Sequence, residues 1–145
     1  MKFSTRTRYG LRFLIYLGSE GGDRYVQLGE ISEAEKVSQK YLEQIVRLLK
    51  PSGILDSARG VTGGYKIAVD PDKVRLDRLF ELLEGDLAPI NCLREDEHCE
   101  RASRCPTLPL WMELDDLVKN FLKERSLGDL IRNTKANTCS MMMTN

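Results

Sequence analysis

Residues 38–69 constrain the fold of this chain more tightly than any other stretch. Ser38 is a good N-cap, and the helix it opens, Gln39–Lys50, repeats Leu42, Ile45, Leu48 and Leu49 at helical spacing before Pro51-Ser52-Gly53. Those four leucine and isoleucine side chains are expected to pack inward, with Gln39, Lys40, Glu43, Gln44 and Arg47 on the opposite face. Upstream, Gly29 to Glu35 forms a shorter helix with Ile31 and Ala34 as its apolar positions, and Lys36-Val37 is the break between the two. Two short helices joined by such a turn are a helix-turn-helix. Downstream, Ile54–Arg59 and Tyr65–Val69 read as short strands around the glycine-rich tip Gly60-Val61-Thr62-Gly63-Gly64. A helix-turn-helix followed at once by a β-hairpin is a winged helix.

On an isolated helix a polar face is ordinarily solvated surface. Beside a wing it acquires a use, because Gln, Lys, Glu and Arg are side chains that read base edges and phosphates in the major groove. Glycines at the hairpin tip permit close backbone approach, and Arg59 is placed to enter a narrow, electronegative minor groove. The tip does not read as a nucleotide cradle: no strand-to-helix Gly-x-Gly-x-x-Gly or Gly-Lys-Ser/Thr pattern is present. Net charge is zero but unevenly placed, +4 over residues 1–80 and −4 over 81–145, as a nucleic-acid-binding front half would have it.

The remaining helices frame this unit. Ser4-Thr5-Arg6-Thr7 supplies caps ahead of a helix over Tyr9–Ser19, which Gly21-Gly22 ends. Val74–Glu84 forms a fourth helix, with Leu76, Leu79, Phe80, Leu82 and Leu83 apolar and Gly85 as its stop. From Thr107 to Glu124 a longer helix places Leu110, Trp111, Leu114, Leu117, Val118, Phe121 and Leu122 on one stripe. Glu113, Asp115, Asp116, Lys119, Asn120 and Lys123 take the other face. At about 27 Å it is too long for so small a domain to cover, so its stripe is expected to pair with a second copy. Ser126-x-x-Asp129 opens a short last helix to about Arg132. The expected fold class is mainly α with a small β-hairpin wing. A winged helix-turn-helix domain spans 1–84, a cysteine-rich loop 85–106, the dimerisation helix and short terminal helix 107–133, and a flexible tail 134–145 with Cys139 in it.

Three of the four cysteines, Cys92, Cys99 and Cys105, form a C-x6-C-x5-C run in a polar stretch with no hydrophobic period. The N-terminus has no signal-peptide pattern, and no stretch approaches the roughly 20 apolar residues of a membrane span. A cytoplasmic location is therefore expected, where clustered thiols read as metal-binding or catalytic before they read as disulfides. Structural zinc sites usually draw on a tight C-x2–4-C knuckle, absent here. The wide spacing suits an iron–sulfur cluster better. Three thiolates leave a ligand to be found: His98, the only histidine, is the local candidate, with Asp96, Glu97, Glu100 or a ligand from a partner chain as alternatives. A thiol–disulfide switch is the rival chemistry, with Arg94, Arg101 and Arg104 placed to lower thiol pKa values. Catalysis has no support: there is one histidine, no His/Glu metal motif and no nucleophile elbow.

Several of these segments also carry a family likeness. Arg8-Tyr9-Gly10, Ser38-x-x-Tyr41-Leu42-Glu43-Gln44, Arg59-Gly60-x-x-Gly63-Gly64-Tyr65 and a three-cysteine loop ahead of a long helix with an early Trp111 stand in this order. Across about residues 1–133 the chain resembles the bacterial winged-helix iron–sulfur transcription regulators typified by IscR and NsrR. The resemblance implies a homodimer on palindromic double-stranded DNA and a cluster on Cys92, Cys99 and Cys105, 2Fe–2S favoured over 4Fe–4S. It places Ser38, Gln39, Lys40, Tyr41, Glu43, Gln44 and Arg47 of the recognition helix and Arg59, Gly60, Gly63, Gly64 and Tyr65 of the wing at the DNA, with Glu43 as a sequence filter. The sequence departs from the pattern at the fourth ligand. A histidine three residues after the last cysteine in IscR-like proteins is Leu108 here, and an acidic residue used from the partner in NsrR-like proteins is Arg8. Cysteine-metabolism repressors of the same fold lack the cysteine loop.

Overall fold

The structure, a computed structural model, describes residues 2–143, with side chains through Asn137. Helix α1 (Thr5–Tyr16) begins four residues earlier than its periodicity predicts, because Ser4 accepts the Thr7 N–H at 3.3 Å and so caps it. A wider π turn, Leu17–Gly21, prolongs it until Gly22 breaks the run at φ 56°. Its inner face carries Thr7, Gly10, Phe13 and Leu14. Gly10 suits a close crossing there: a Cβ would stand 2.8 Å from the methyl groups of Leu83, on a later helix.

Helix α2 (Leu28–Glu35) ends at Lys36, which takes the left-handed conformation at φ 55°. Of its two expected apolar positions Ile31 is buried and Ala34 is exposed. Two turns present only a narrow inward seam, and Val37 just beyond the helix fills the place beside it. Helix α3 (Gln39–Leu49) is capped by Ser38, whose hydroxyl accepts the Tyr41 N–H at 3.2 Å. Its buried stripe is Leu42, Ile45, Val46 and Leu49; Leu48 lies half-buried at the margin and Val46 takes the inward place expected of it.

Strands β1 (Leu55–Ala58) and β2 (Gly64–Ile67) pair antiparallel in the register Leu55 to Ile67, Asp56 to Lys66, Ser57 to Tyr65 and Ala58 to Gly64. Both are shorter than the sequence suggests. Val26, in the link from α1 to α2, exchanges two backbone hydrogen bonds of 2.8 Å with Tyr65, so the wing is fixed to the body of the domain. Helix α4 (Leu76–Glu84) starts two residues after the expected Val74, because Pro71–Lys73 forms a short 3-10 turn and Val74 is extended. Leu76, Leu79 and Leu83 are buried, Phe80 is partly so, and Leu82 is exposed.

Helix α5 (Leu108–Lys123) packs against α4, yet of its apolar stripe only Leu122 is buried. Trp111, Leu114 and Val118 are half-buried, while Leu110, Leu117 and Phe121 remain 59%, 62% and 54% exposed. Asp115 corrects the expected polar face: it is buried, with Oδ2 taking the Lys119 ammonium at 2.6 Å and Oδ1 unpartnered. The pairing, one helical turn along, is what makes burial of that carboxylate tolerable.

Helix α6 (Leu127–Met143) opens with the expected capping box, Ser126 N–H to Asp129 at 2.8 Å and Asp129 N–H to the Ser126 hydroxyl at 3.2 Å. It runs well past Arg132, because no glycine or proline interrupts residues 129–143. The tail expected over 134–145 is therefore helical to Met143; residues 144 and 145 and the Cys139 side chain lie outside the described residues. The helix folds back on the winged domain, where Ile131 packs so tightly on Gly18 that a Cβ would stand 2.2 Å from its Cδ1. Phe13, Leu14, Ile31, Leu42, Ile45, Leu79, Leu83 and Leu127 form one continuous core.

Candidate nucleic-acid interface and thiol cavity

The outward face of α3 is chemically idle within the chain. Gln39, Lys40, Glu43, Gln44 and Arg47 are all exposed and make no side-chain hydrogen bond or ion pair among the described residues. Tyr41 differs from them: it is half-buried, its hydroxyl lies 3.1 Å from that of Thr5, and its ring stands edge-on to Tyr9 at 5.9 Å. Its ring therefore helps set the angle between α1 and the recognition helix.

The wing shows why its glycines are where they are. Gly60 has φ 99° and its carbonyl accepts the Gly63 N–H at 3.1 Å, closing the tip. Gly64 has φ 132°, and a Cβ there would lie 2.2 Å from the Val26 carbonyl. Three residues of the α1–α2 link brace the hairpin, and the sequence gives no signal for them. Val26 pairs with Tyr65, Gln27 Nε2 donates to the Val61 carbonyl at 2.6 Å, and the Tyr25 hydroxyl donates to Asp56 at 2.6 Å. That last bond pushes the Tyr25 phenol up and holds the Asp56 carboxyl below its ordinary value. Lys66 sits 4.7 Å over the Tyr25 ring, so it is engaged at the wing's base, whereas Arg59 is exposed with no partner among the described residues.

Not all cations of the front half are equally available. Arg12 is paired with Glu35 at 2.6 Å, and Arg24 grips Glu30 through both terminal nitrogens. The Arg24 guanidinium is the main reason the Glu30 carboxyl sits below its ordinary value. Lys40, Arg47 and Arg59 have no such neighbour among the described residues.

The cysteine segment folds as a chain of tight turns, including Asn91–Leu93 and Ala102–Arg104, between α4 and α5. It brings Cys92, Cys99 and Cys105 to the wall of one cavity of about 130 Å³, completed by Ile90, Ala102, Thr107, Leu108 and Trp111. Cys92 is exposed, and local desolvation together with the Cys99 sulfur beside it pushes its thiol up. Cys105 is drawn down, chiefly by the Thr107 hydroxyl 3.4 Å away, then by backbone N–H groups at the start of α5 and by Arg101. His98 is exposed and is not on the cavity wall, nor are Asp96, Glu97 and Glu100. Leu108 is on it. Among the described residues no three His, Cys, Asp or Glu side chains converge on a point as a single ion requires; the thiols surround a volume instead.

A recognition helix with an unpaired polar face, beside a braced glycine hairpin, defines a winged-helix DNA-binding regulator. The chain belongs to the Rrf2 family, described as iron-dependent transcriptional regulators, whose model matches residues 3–133. It is 35% identical to the HTH-type transcriptional regulator CymR of Bacillus subtilis over 90% of this chain and 89% of that one. The solved structure of that global cysteine regulator superposes with a TM-score of 0.75 over 92% of this chain and 98% of the other. Protein rrf2 of Nitratidesulfovibrio vulgaris is 31% identical over 97% of this chain and 96% of its own length. The structure of IscR from T. potens matches with a TM-score of 0.73 at 27% identity, over 92% of this chain and 88% of that one. CymR and IscR are named as HTH-type transcriptional regulators, not as enzymes. No helix among the described residues is long and apolar enough to cross a membrane.

Proposed function

We propose that this protein is a homodimeric transcription regulator that binds a palindromic operator and responds to an iron–sulfur cluster, 2Fe–2S favoured, held by Cys92, Cys99 and Cys105. The observation that carries this reading is the convergence of those three thiols on one small, otherwise mostly apolar cavity at the foot of α5. Such a cavity, with Cys92 at its exposed side and Cys99 and Cys105 half-buried, would seat a polynuclear group near the surface and leave the protein's ligand set incomplete. When bound, the group supplies iron sensitive to redox state, oxygen or nitric oxide. The chain's own residues do the rest. Gln39, Glu43 and Gln44 are presented to base edges, Ser38, Lys40, Tyr41 and Arg47 to the backbone, and Arg59 to the minor groove across Gly60, Gly63, Gly64 and Tyr65. Leu110, Leu117 and Phe121, with half-buried Trp111, Leu114 and Val118, offer α5 to a second copy, which sets two recognition helices about one DNA turn, roughly 34–36 Å, apart. Ordering of the 92–105 loop then biases how the winged domains are held against that axis.

A second reading has its own observation. Cys92 and Cys99 are close enough to perturb each other, so a thiol–disulfide switch in the same cavity is the competing chemistry. Anaerobic reconstitution with iron and sulfide separates the two. Charge-transfer bands with matching iron and sulfide counts, and an operator shift that differs between holo and apo protein, are expected. No iron uptake, together with a Cys92–Cys99 disulfide found by mass spectrometry after mild oxidation, would replace the cluster with the switch.

A further inference from the structure

We propose that Thr107 is a positioning residue of the thiol cavity: its hydroxyl donates a hydrogen bond to the Cys105 sulfur and raises the reduction potential of the group bound there. The proposal rests on the cluster reading above and concerns a residue outside the cysteine set. The cavity wall carries four polar side chains, the three thiols and Thr107, and its other members are apolar. Thr107 occupies the N-cap of α5, where a threonine ordinarily turns its hydroxyl onto an amide of the first turn. Here it makes no such bond. Its Oγ1 lies 3.4 Å from Cys105 Sγ instead.

Either atom can donate while Cys105 is a thiol. Once the sulfur is a thiolate ligand it has no proton, so the hydroxyl must be the donor. The Leu108 N–H is given to the Cys105 carbonyl at 3.4 Å, so the Thr107 hydroxyl is the side-chain donor that reaches this sulfur. Cys92, by contrast, has another cysteine sulfur as its neighbour. Hydrogen bonds to ligating sulfurs withdraw charge and favour the reduced state, so removing one lowers the potential.

Wild-type protein, Thr107→Val and Thr107→Ser are to be reconstituted anaerobically with iron and sulfide, counted for both, and titrated electrochemically while the visible spectrum is followed. Thr107 is exposed and caps nothing, so the valine variant is expected to fold and to load. The expected result is a midpoint shifted to more negative potential in Thr107→Val and restored in Thr107→Ser. A valine variant that loses the group while the serine variant keeps it supports the same role. Loaded wild-type and valine proteins with one midpoint, or a serine variant that behaves as valine, overturn the proposal while leaving the cluster reading intact. Wild-type protein that takes up no iron overturns both.

Discussion

Glu84 at the end of α4 holds Ser4 at the start of α1: its two carboxylate oxygens take the Ser4 N–H at 3.2 and 3.1 Å, and one takes the Ser4 hydroxyl at 2.8 Å. The buried Thr7 hydroxyl donates to the same carboxylate, and Arg6 donates to the Leu83 carbonyl at 2.6 Å. Glu84 directly precedes Gly85 and the cysteine segment, whereas Thr5 and Tyr9 of α1 steady Tyr41 on α3. One carboxylate therefore ties the thiol-bearing segment to the helix that orients the recognition helix.

Glu84→Ala should destabilise the fold by about 1–3 kcal/mol, since it leaves the Thr7 hydroxyl unpaired in the interior. Urea unfolding measures this. Burial pushes the Glu84 carboxyl up, but hydrogen bonds from Thr7 and Ser4 outweigh it and hold the group below its ordinary 4.5. A depressed pKa contributes stability that is present above the unfolded value and lost as pH falls through the folded one. The stability gap between wild type and Glu84→Gln should therefore be full near neutrality and close as pH drops below about 4.5. A gap that widens on acidification would contradict the assignment.

Gly64→Ala should detach the wing. It forces a side chain onto a residue at φ 132° and against the Val26 carbonyl, at a cost of about 1–3 kcal/mol. Operator binding should fall sharply while circular dichroism shows the helices intact. Wild-type affinity in a gel shift would mean that the wing does not need its tether.

Arg59→Ala should weaken operator binding by about 1–3 kcal/mol and reduce discrimination at A·T-rich flanks. Glu43→Ala should relax sequence preference without abolishing affinity, because a carboxylate near DNA helps only where a cytosine amino group meets it. Selection from randomised operators checks both variants together; an unchanged consensus for Glu43→Ala removes it as a filter.

Leu117→Glu and Phe121→Glu should leave the protomer folded and make it monomeric by sedimentation, since both side chains are more than half exposed within the chain. Leu122→Ala, one position on, should instead cost about 2–5 kcal/mol of stability, because Leu122 is buried in the protomer's own core. A Phe121→Glu dimer would place the interface elsewhere.

Much of this was legible in the sequence wherever a residue's environment is local. Ser38 and the 42–49 stripe declared α3, Gly60 to Gly64 declared the hairpin tip, and Ser126 with Asp129 declared the start of α6. What long-range contact decides was not legible. Val46 and Leu48 are equally apolar, and only packing against the core distinguishes them. Asp115 looks like surface until Lys119 is seen to partner it. Tyr25, Val26 and Gln27 read as a featureless link, yet they brace the wing through bonds to residues 31 to 39 positions away. For the candidate site, the spacing named the three cysteines but not Thr107, whose role follows from where its hydroxyl points and not from any motif.

The internal pairing of Arg12 with Glu35 and of Arg24 with Glu30 bears on how this protein finds its target. Each phosphate that a protein neutralises releases condensed counterions, and the number released sets how steeply affinity falls with salt. With Arg12 and Arg24 already neutralised, the cations free among the described residues to displace ions at the recognition helix and the wing are Lys40, Arg47 and Arg59. Binding should then tolerate salt better than the basic residue content implies, and lodging at random sequence should be weak. Occupancy would then be governed by base identity more than by charge.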